Sequence, residues 1–274
     1  MKKMAIGLLG IVFLLGSCEW LEENIPEGLT NEEIVEGLKT ALSVGADTAS
    51  TTLSKVNAYY GNSLIKIPLP EEAETVRQLI TDNDLAYIIN LDAQFENVVK
   101  AVNRAAEDAA REAAPIFKNA ITGLSISQGF DILNGIVPED AEALKATGFD
   151  STAATQFLKI ETYQPLTNLY APKINIALDK DLGLGFSAVN AWETLTTTYN
   201  SLMGDWAVQL AVTAAGIDLP TSINSDLGVF STQKALNGLF LRVGEEEKNI
   251  RRNPLEWITT TVGAILEKVF GSPK

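Results

Sequence analysis

The chain contains no histidine among its 274 residues and a single cysteine, Cys18. Without imidazole there is no Ser-His or Cys-His catalytic pair, no HExxH metal site and no histidine general base. One thiol excludes an intrachain disulfide and a thiolate metal cluster. Positive charge is scarce as well, with 21 Lys and Arg against 35 Asp and Glu and a formal net charge of −14. Such a field repels nucleic acid and an anionic bilayer surface, so no nucleic-acid partner is expected; it suits solubility, cations or a basic partner. Neither a β-hairpin signal nor an internal repeat is visible, and no apolar run reaches the roughly 20 residues of a membrane span. With 46% hydrophobic and 20% charged residues, the chain can bury one substantial core and does not look disordered.

What is present begins with Lys2 and Lys3 ahead of an apolar run from Met4 to Leu15, which reads as a secretory signal. Leu15-Gly16-Ser17-Cys18 closes the run and resembles the lipobox of bacterial lipoproteins, in which the cysteine is lipid-modified and becomes the mature N-terminus. The resemblance implies a lipoprotein signal peptide over 1–17, lipidation at Cys18, and a protein anchored to a membrane of the bacterial cell envelope, on the periplasmic side or at the cell surface. Acyl chains contribute about 0.8 kcal/mol per buried CH₂, so several on one cysteine anchor stably without spanning. An ordinary signal peptide with an incidental Cys18 is the competing reading. Residues 18–28, containing the acidic stretch EWLEENIPEG, form a tether reaching on the order of 17 Å if flexible, which keeps the body at 29–274 close to its membrane.

The body opens with Thr30-Asn31-Glu32-Glu33, a capping box flanked by Leu29 and Ile34 at staple positions. A first helix is predicted there, and the polar stretch Thr48 to Ser54 either continues or ends it. Tyr59 to Asn62 marks a turn. Leu64 to Leu69 is extended, because Pro68 and Pro70 deny it helix and central-strand pairing alike, and is predicted to lie across the core as a strap. Pro70 with Glu71, Glu72 and Glu74 opens a helix to Ile80. Thr81 or Asp82 then caps a longer one through Leu85, Phe95, Val102 and Ala113, which Pro115 kinks or restarts. Arg104 with Asp108, and Glu107 with Arg111, are i,i+4 pairs contributing about 0.3 to 0.5 kcal/mol each on a solvated face.

Further along, Ser125 and Gln128 make a second capping box, ended by Gly135, and Pro138-Glu139-Asp140 opens a short helix ended by Gly148. Asp150 caps the next helix. Helical pattern continues from Pro165 to Leu202, with interruptions at Pro172 and at Gly183 to Phe186. The stretch from Gly204 to Leu227 carries little pattern, and Pro220 to Ser222 is a loop. A helix follows over Gly228 to Asn253, with Phe230, Leu236, Leu239, Phe240, Val243 and Ile250 on one stripe, and the others are expected to pack against it. Asn253-Pro254 breaks it, and Leu255 to Phe270 is amphipathic. The expected class is all-α: a single multi-helix, bundle-like domain with an extended Pro-containing strap, preceded by a lipoprotein signal peptide.

Four stretches resemble the bacterial lipoproteins grouped as domain of unknown function family 4197. They are Gly37 to Gly45; Ile67 to Pro70; Asn103-Arg104-Ala105-Ala106-Glu107 running on to Phe117; and Thr232 to Leu236 running on to Glu245-Glu246-Glu247, Ile250-Arg251 and Asn253-Pro254. The resemblance implies a helical envelope protein and no known activity. Departures are Gly244, where an alanine is usual, and an unfamiliar segment from Asp181 to Leu219.

Candidate chemistry is sparse. Ser231 and Lys234 have the Ser-x-x-Lys spacing of serine β-lactamases and penicillin-binding proteins, but Ser63 and Lys66 fit equally and no Lys-Thr-Gly follows. Glu245, Glu246 and Glu247 could offer oxygens to Ca²⁺, with Asp179 and Asp181 or Asp82 and Asp84, yet no EF-hand spacing occurs. Arg251 at i,i+4 from Glu247 favours a solvated ion-pair face. Trp192, Trp206, Trp257, Tyr59, Tyr60, Tyr163 and Tyr199 line an interhelical pocket or are core. Gly238 and Gly244 cost about 1 kcal/mol each within a helix, which close packing or a ligand against the backbone would repay. No catalytic, metal or cofactor residue is assigned, and no cofactor is expected.

Three functions remain open: a non-enzymatic, lipid-anchored protein with a binding or structural role toward an envelope protein partner; a carrier of an apolar ligand in an interhelical cavity; and a His-free hydrolase. A large exposed apolar patch favours the first, a closed apolar cavity the second, and Ser231 within reach of Lys234 the third.

Overall fold

Thr30 starts the first helix as its sequence predicts. In α1 (Asn31–Leu53) its hydroxyl accepts the Glu33 N–H at 3.2 Å, and the Glu33 carboxylate accepts the Thr30 N–H at 3.1 Å. The polar stretch from Thr48 stays helical to Leu53, with Ser50 turned inward to donate to the Ala110 carbonyl at 2.7 Å. This computed structural model describes residues 28–137, 149–257, 260 and 262–271. Cys18, and the signal peptide, tether and short helix expected at 1–17, 18–27 and Pro138 to Gly148, lie outside the described residues. Among those residues the fold is all-α, with no strand.

The predicted strap is present: Ile65, Ile67 and Leu69 are buried, alternating with exposed Lys66 and Pro68. It leads into α2 (Glu71–Asp82), whose Glu72 accepts the Asn224 N–H at 2.8 Å and the Ser225 hydroxyl at 2.9 Å and so ties α2 to the loop before α9. The next helix, α3 (Asp92–Ala109), starts later than Thr81 or Asp82. Leu85, Ile89 and Leu91 all go into the core, and a single helix from Asp82 could not turn all three the same way. A 3₁₀ turn at Leu85–Tyr87, entered through a left-handed Asp84 with φ of 53°, does so instead. A second 3₁₀ turn, Ala110–Glu112, separates α3 from α4 (Ala113–Gly123), whose first turn contains Pro115.

The capping box expected at Ser125 and Gln128 does not form. Leu124 and Ile126 are drawn into the core by an extended segment, and α5 (Gly129–Leu133) begins without a side-chain cap. Asp150 accepts from the N–H and hydroxyl of Thr152, both at 2.7 Å, ahead of α6 (Ala153–Leu178). The interruption expected at Pro172 is absent, since α6 runs through Pro165 and Pro172. The two prolines lie seven residues apart on one exposed side, and the carbonyls they free, at Glu161 and Asn168, belong to exposed residues where water serves as donor. The break at Gly183 to Phe186 is real: the Asp181 carboxylate accepts the N–H groups of Gly183, Leu184 and Gly185 at 2.9 to 3.0 Å and turns the chain into α7 (Ala188–Met203). The faintly patterned stretch after Gly204 holds α8 (Trp206–Ala214).

Helix α9 (Leu227–Arg252), capped by Asp226, packs chiefly against α1 and α6, but it is not the hub expected of it: α1 is, since α4 and α5 rest on α1 rather than on α9. Helix α9 runs antiparallel to α1. Ile250 joins Ala41 and Leu266 in a small cluster, Val243 backs onto Gly45, and the Ala235 carbonyl accepts the Tyr59 hydroxyl at 2.8 Å. After Asn253 the amphipathic stretch is shorter than expected, a 3₁₀ turn at Pro254–Trp257 and then α10 (Gly263–Phe270) against α1.

Both helix glycines singled out in α9 sit at close approaches, of unequal tightness. A Cβ on Gly238 would lie 2.6 Å from Tyr59 Cε1, whereas one on Gly244 would meet Thr152 Cγ2 at 3.4 Å, ordinary contact. Urea denaturation should therefore show Gly238→Ala destabilising by about 1 to 3 kcal/mol and Gly244→Ala stabilising by about 0.5 to 1 kcal/mol.

Candidate functional site

Two buried polar clusters stand out, each built on a carboxylate. Glu107 of α3 is 2% exposed, not on a solvated face as its spacing from Arg111 suggested. It accepts the backbone N–H groups of Tyr59 and Tyr60 at 3.1 and 3.3 Å and the Arg104 guanidinium at 2.9 Å. One turn back, the Asn103 amide pairs with both backbone groups of Ile67, N–H to Oδ1 at 2.9 Å and Nδ2 to O at 2.7 Å, and so acts as a one-residue strand partner for the strap. A strap that cannot join a sheet has its buried peptide satisfied by a side chain.

Glu247 of α9 is fully buried and the solvated reading of the glutamate run is wrong for it. Its carboxylate accepts the N–H groups of Ala154 and Thr155 at 3.0 and 2.7 Å and the Thr155 hydroxyl at 2.7 Å, capping α6 from another helix. Arg251, one turn on, pairs with it at 2.8 Å and donates to the Leu133 and Ile132 carbonyls at the end of α5, with its guanidinium beside the rings of Phe149 and Phe270. Glu246, nearly buried, and Glu245 both pair with Arg242. Glu245 and Glu246 thus share one arginine while Glu247 turns into the core, and the three carboxylates do not gather at one point. Both clusters are legible after the fact: Glu247 falls on the stripe Leu236, Phe240, Val243, Glu247, Ile250, so helical spacing alone turns it inward.

None of the other candidate constellations assembles. Ser231 is buried, its hydroxyl without a partner, while Lys234 is exposed with its ammonium over the Phe230 ring. Ser63 and Lys66 are both exposed, and Lys66 lies over Tyr60. Asp181 is committed to its turn, and no group of three or more carboxylate or thiol side chains among the described residues is placed to hold a metal. The aromatic residues disperse. Tyr59 and Tyr199 are core, Tyr60, Tyr163, Trp192 and Trp257 half-buried, and Trp206 is 77% exposed. A groove of about 580 Å³ between α1 and α4 has its lysines engaged, Lys39 with the Thr122 carbonyl and Lys118 with Asp47.

The surface carries apolar faces that no described residue covers. In the second half of α6, Leu166, Tyr170 and Ile174 face the core, and Leu169 and Ile176 stand opposite, 57% and 56% exposed, in one stripe with Pro165 and Pro172. Helix α8 buries only Val212 and presents Trp206 and Leu210, one turn apart.

A family model described as protein of unknown function (DUF4197) matches residues 28–271. The chain belongs to that family. No curated protein and no solved structure matches it. The DUF4197 stretches quoted from the sequence coincide with the two buried clusters, Asn103, Arg104 and Glu107 in one and Glu247 and Arg251 in the other. What they fix is packing.

Because a buried pair broken on one side leaves an uncompensated charge, Glu247→Ala should cost about 3 to 5 kcal/mol in urea unfolding, against less than 1 for Glu245→Ala at the surface. A pH effect follows from the buried tyrosines. Burial pushes the Tyr199 hydroxyl up to about 12 from 10.0. It pushes Tyr59 and Tyr170 up as well, with Tyr170 and Glu107 adding to the effect on Tyr59 and Asp108 to that on Tyr170. A group whose pKa is raised on folding stabilises fully below its unfolded value and loses that contribution as pH rises toward the folded one. Stability should fall steadily from about pH 10 upward, and Tyr199→Phe should lessen the fall, measured by urea midpoints and tyrosinate absorbance.

Proposed function

We propose that this DUF4197 protein is a lipid-anchored component of the bacterial cell envelope with a non-enzymatic binding role toward a protein partner. The observation that carries the binding role is the uncovered stripe on α6, Pro165, Leu169, Pro172 and Ile176, on a helix whose opposite side is already core. A helix apolar on both sides is stable in water only when both are covered. Trp206 and Leu210 on α8 add a second apolar face with an aromatic anchor of the kind that dominates protein interfaces. The anchor is supported by the apolar run Met4 to Leu15 and by Leu15-Gly16-Ser17-Cys18 behind it. Catalysis is disfavoured by the opposite burial of Ser231 and Lys234 and by the structural engagement of the buried carboxylates Glu107, Glu246 and Glu247.

Mass spectrometry of the mature N-terminus tests the anchor: acyl chains on Cys18 are expected, and Cys18→Ser should release the protein from membranes. A photocrosslinking residue at Leu169 tests the binding face in cells. It should capture one discrete protein that the same residue at exposed Gln78 of α2 does not, and Ile176→Asp should abolish the adduct without changing the helical spectrum; equal capture from both positions would sink the reading.

A further inference from the structure

Between the first half of α6 and the second half of α9 lies a groove of about 430 Å³, separate from the α6 stripe. Thr152, Gln156 and Lys159 form one wall and Asn237, Leu241 and Lys248 the other, with Phe240 and Gly244 at the base. Its volume falls within the range of about 300 to 1,000 Å³ typical of small-molecule sites. Gly244 is what keeps the base open, since any side chain there would start toward Thr152 on the facing wall.

Charge distinguishes this groove from the rest of a strongly acidic molecule. Neither Lys159 nor Lys248 makes an ion pair or hydrogen bond with any described residue. Lys159 lies with its ammonium 5.6 Å from the centre of the Tyr163 ring and 6.0 Å from that of Phe240, at the edge of an aromatic wall. Glu245 is the one carboxylate among the lining residues, and it is held at 2.5 Å by Arg242, which it shares with Glu246. The nearby amides at the start of α6 are already taken by Glu247, so they do not compete for an anion. Two ammonium groups without an ion-pair partner among the described residues thus line one groove from two helices above an apolar base, with the side-chain amides of Gln156 and Asn237 on the same walls. Leu241, 38% exposed, forms the outer lip.

We propose that the α6/α9 groove binds an anion that carries an apolar group, a carboxylate or phosphate head held by Lys159 and Lys248 with a chain or ring against Phe240 and Leu241. Charge complementarity supports the head: in a protein of net charge −14, leaving two cations unpaired at one concave site favours anions there over the rest of the surface. The inference does not depend on the lipid anchor or on the α6 stripe. The same chemistry is shared by a fatty acid or lipid phosphate and by a small soluble acid, and the length of the apolar group separates them.

Calorimetric titration of the full chain carrying Cys18→Ser, purified without detergent, tests the site. The probes are decanoate, decyl phosphate, hexanoate, decanol and inorganic phosphate. Saturable binding of decanoate and decyl phosphate below about 1 mM is expected, with decanol and inorganic phosphate at least about tenfold weaker. Hexanoate matching decanoate would assign a small soluble acid, and hexanoate weaker than decanoate a lipid-like chain; either supports the site. Lys159→Gln with Lys248→Gln should weaken decanoate at least about tenfold at an unchanged urea midpoint, both lysines being outside the core. Decanol binding as well as decanoate, inorganic phosphate binding as well as decyl phosphate, no saturable binding of either decyl anion, or an unaffected double variant would overturn the proposal.

Discussion

Glu247 reaches from the inward stripe of α9 to backbone amides 92 residues earlier in the chain and to an arginine one turn away. The start of α6 has no side-chain cap of its own at Thr152, so these amides would otherwise be buried donors without acceptors. With two acceptor oxygens, the Glu247 carboxylate satisfies both amides and the Thr155 hydroxyl together. Its charge is then answered by Arg251, whose remaining donors close the carbonyl end of α5. Three helices are thereby tied together by one ion pair at the edge of the core between them.

Glu107 and Asn103 apply the same chemistry to irregular chain. The residues from Ser54 to Pro70 contain neither a helix nor a strand, and buried peptide groups there need acceptors and donors from elsewhere. Helix α3 supplies them from consecutive turns. With the turn held, Tyr59 lays its ring on Gly238 and its hydroxyl on the α9 backbone. The polar clusters are thus what allow an irregular segment to be core, and the bare backbone of α9 is what makes room for it.

Capping residues and apolar stripes made α1, α2, α9 and the strap legible from the residues alone. Legibility failed where two rules competed. Proline marked a break in α6, but both prolines face water, where the lost hydrogen bonds cost least. The core face of α6 also shifts around the helix, from Ala154, Phe157 and Leu158 to Leu166, Tyr170 and Ile174, so no single stripe describes it. Glu107 and Glu247 carry the charge of surface residues, and only their spacing from apolar neighbours marks them as inside. Helix α8 escaped notice because its apolar residues are not on a buried face at all. As for the candidate site, the residues that looked catalytic are scattered, and the groove lysines were not singled out, since only the fold brings α6 against α9.

The antiparallel seating of α1 on α9 and α10 has a consequence for the order in which the chain can fold. Glu33 of the first helix pairs with Lys268 of the last, 235 residues away, and Gly37 receives the Val269 side chain. Helix α1 emerges first during synthesis and cannot complete its burial until almost the whole chain has followed. Contacts of such long range make closure slow and late. Until α10 is made, the face of α1 around Gly37 has no cover from it, and the two ends of the chain are joined last.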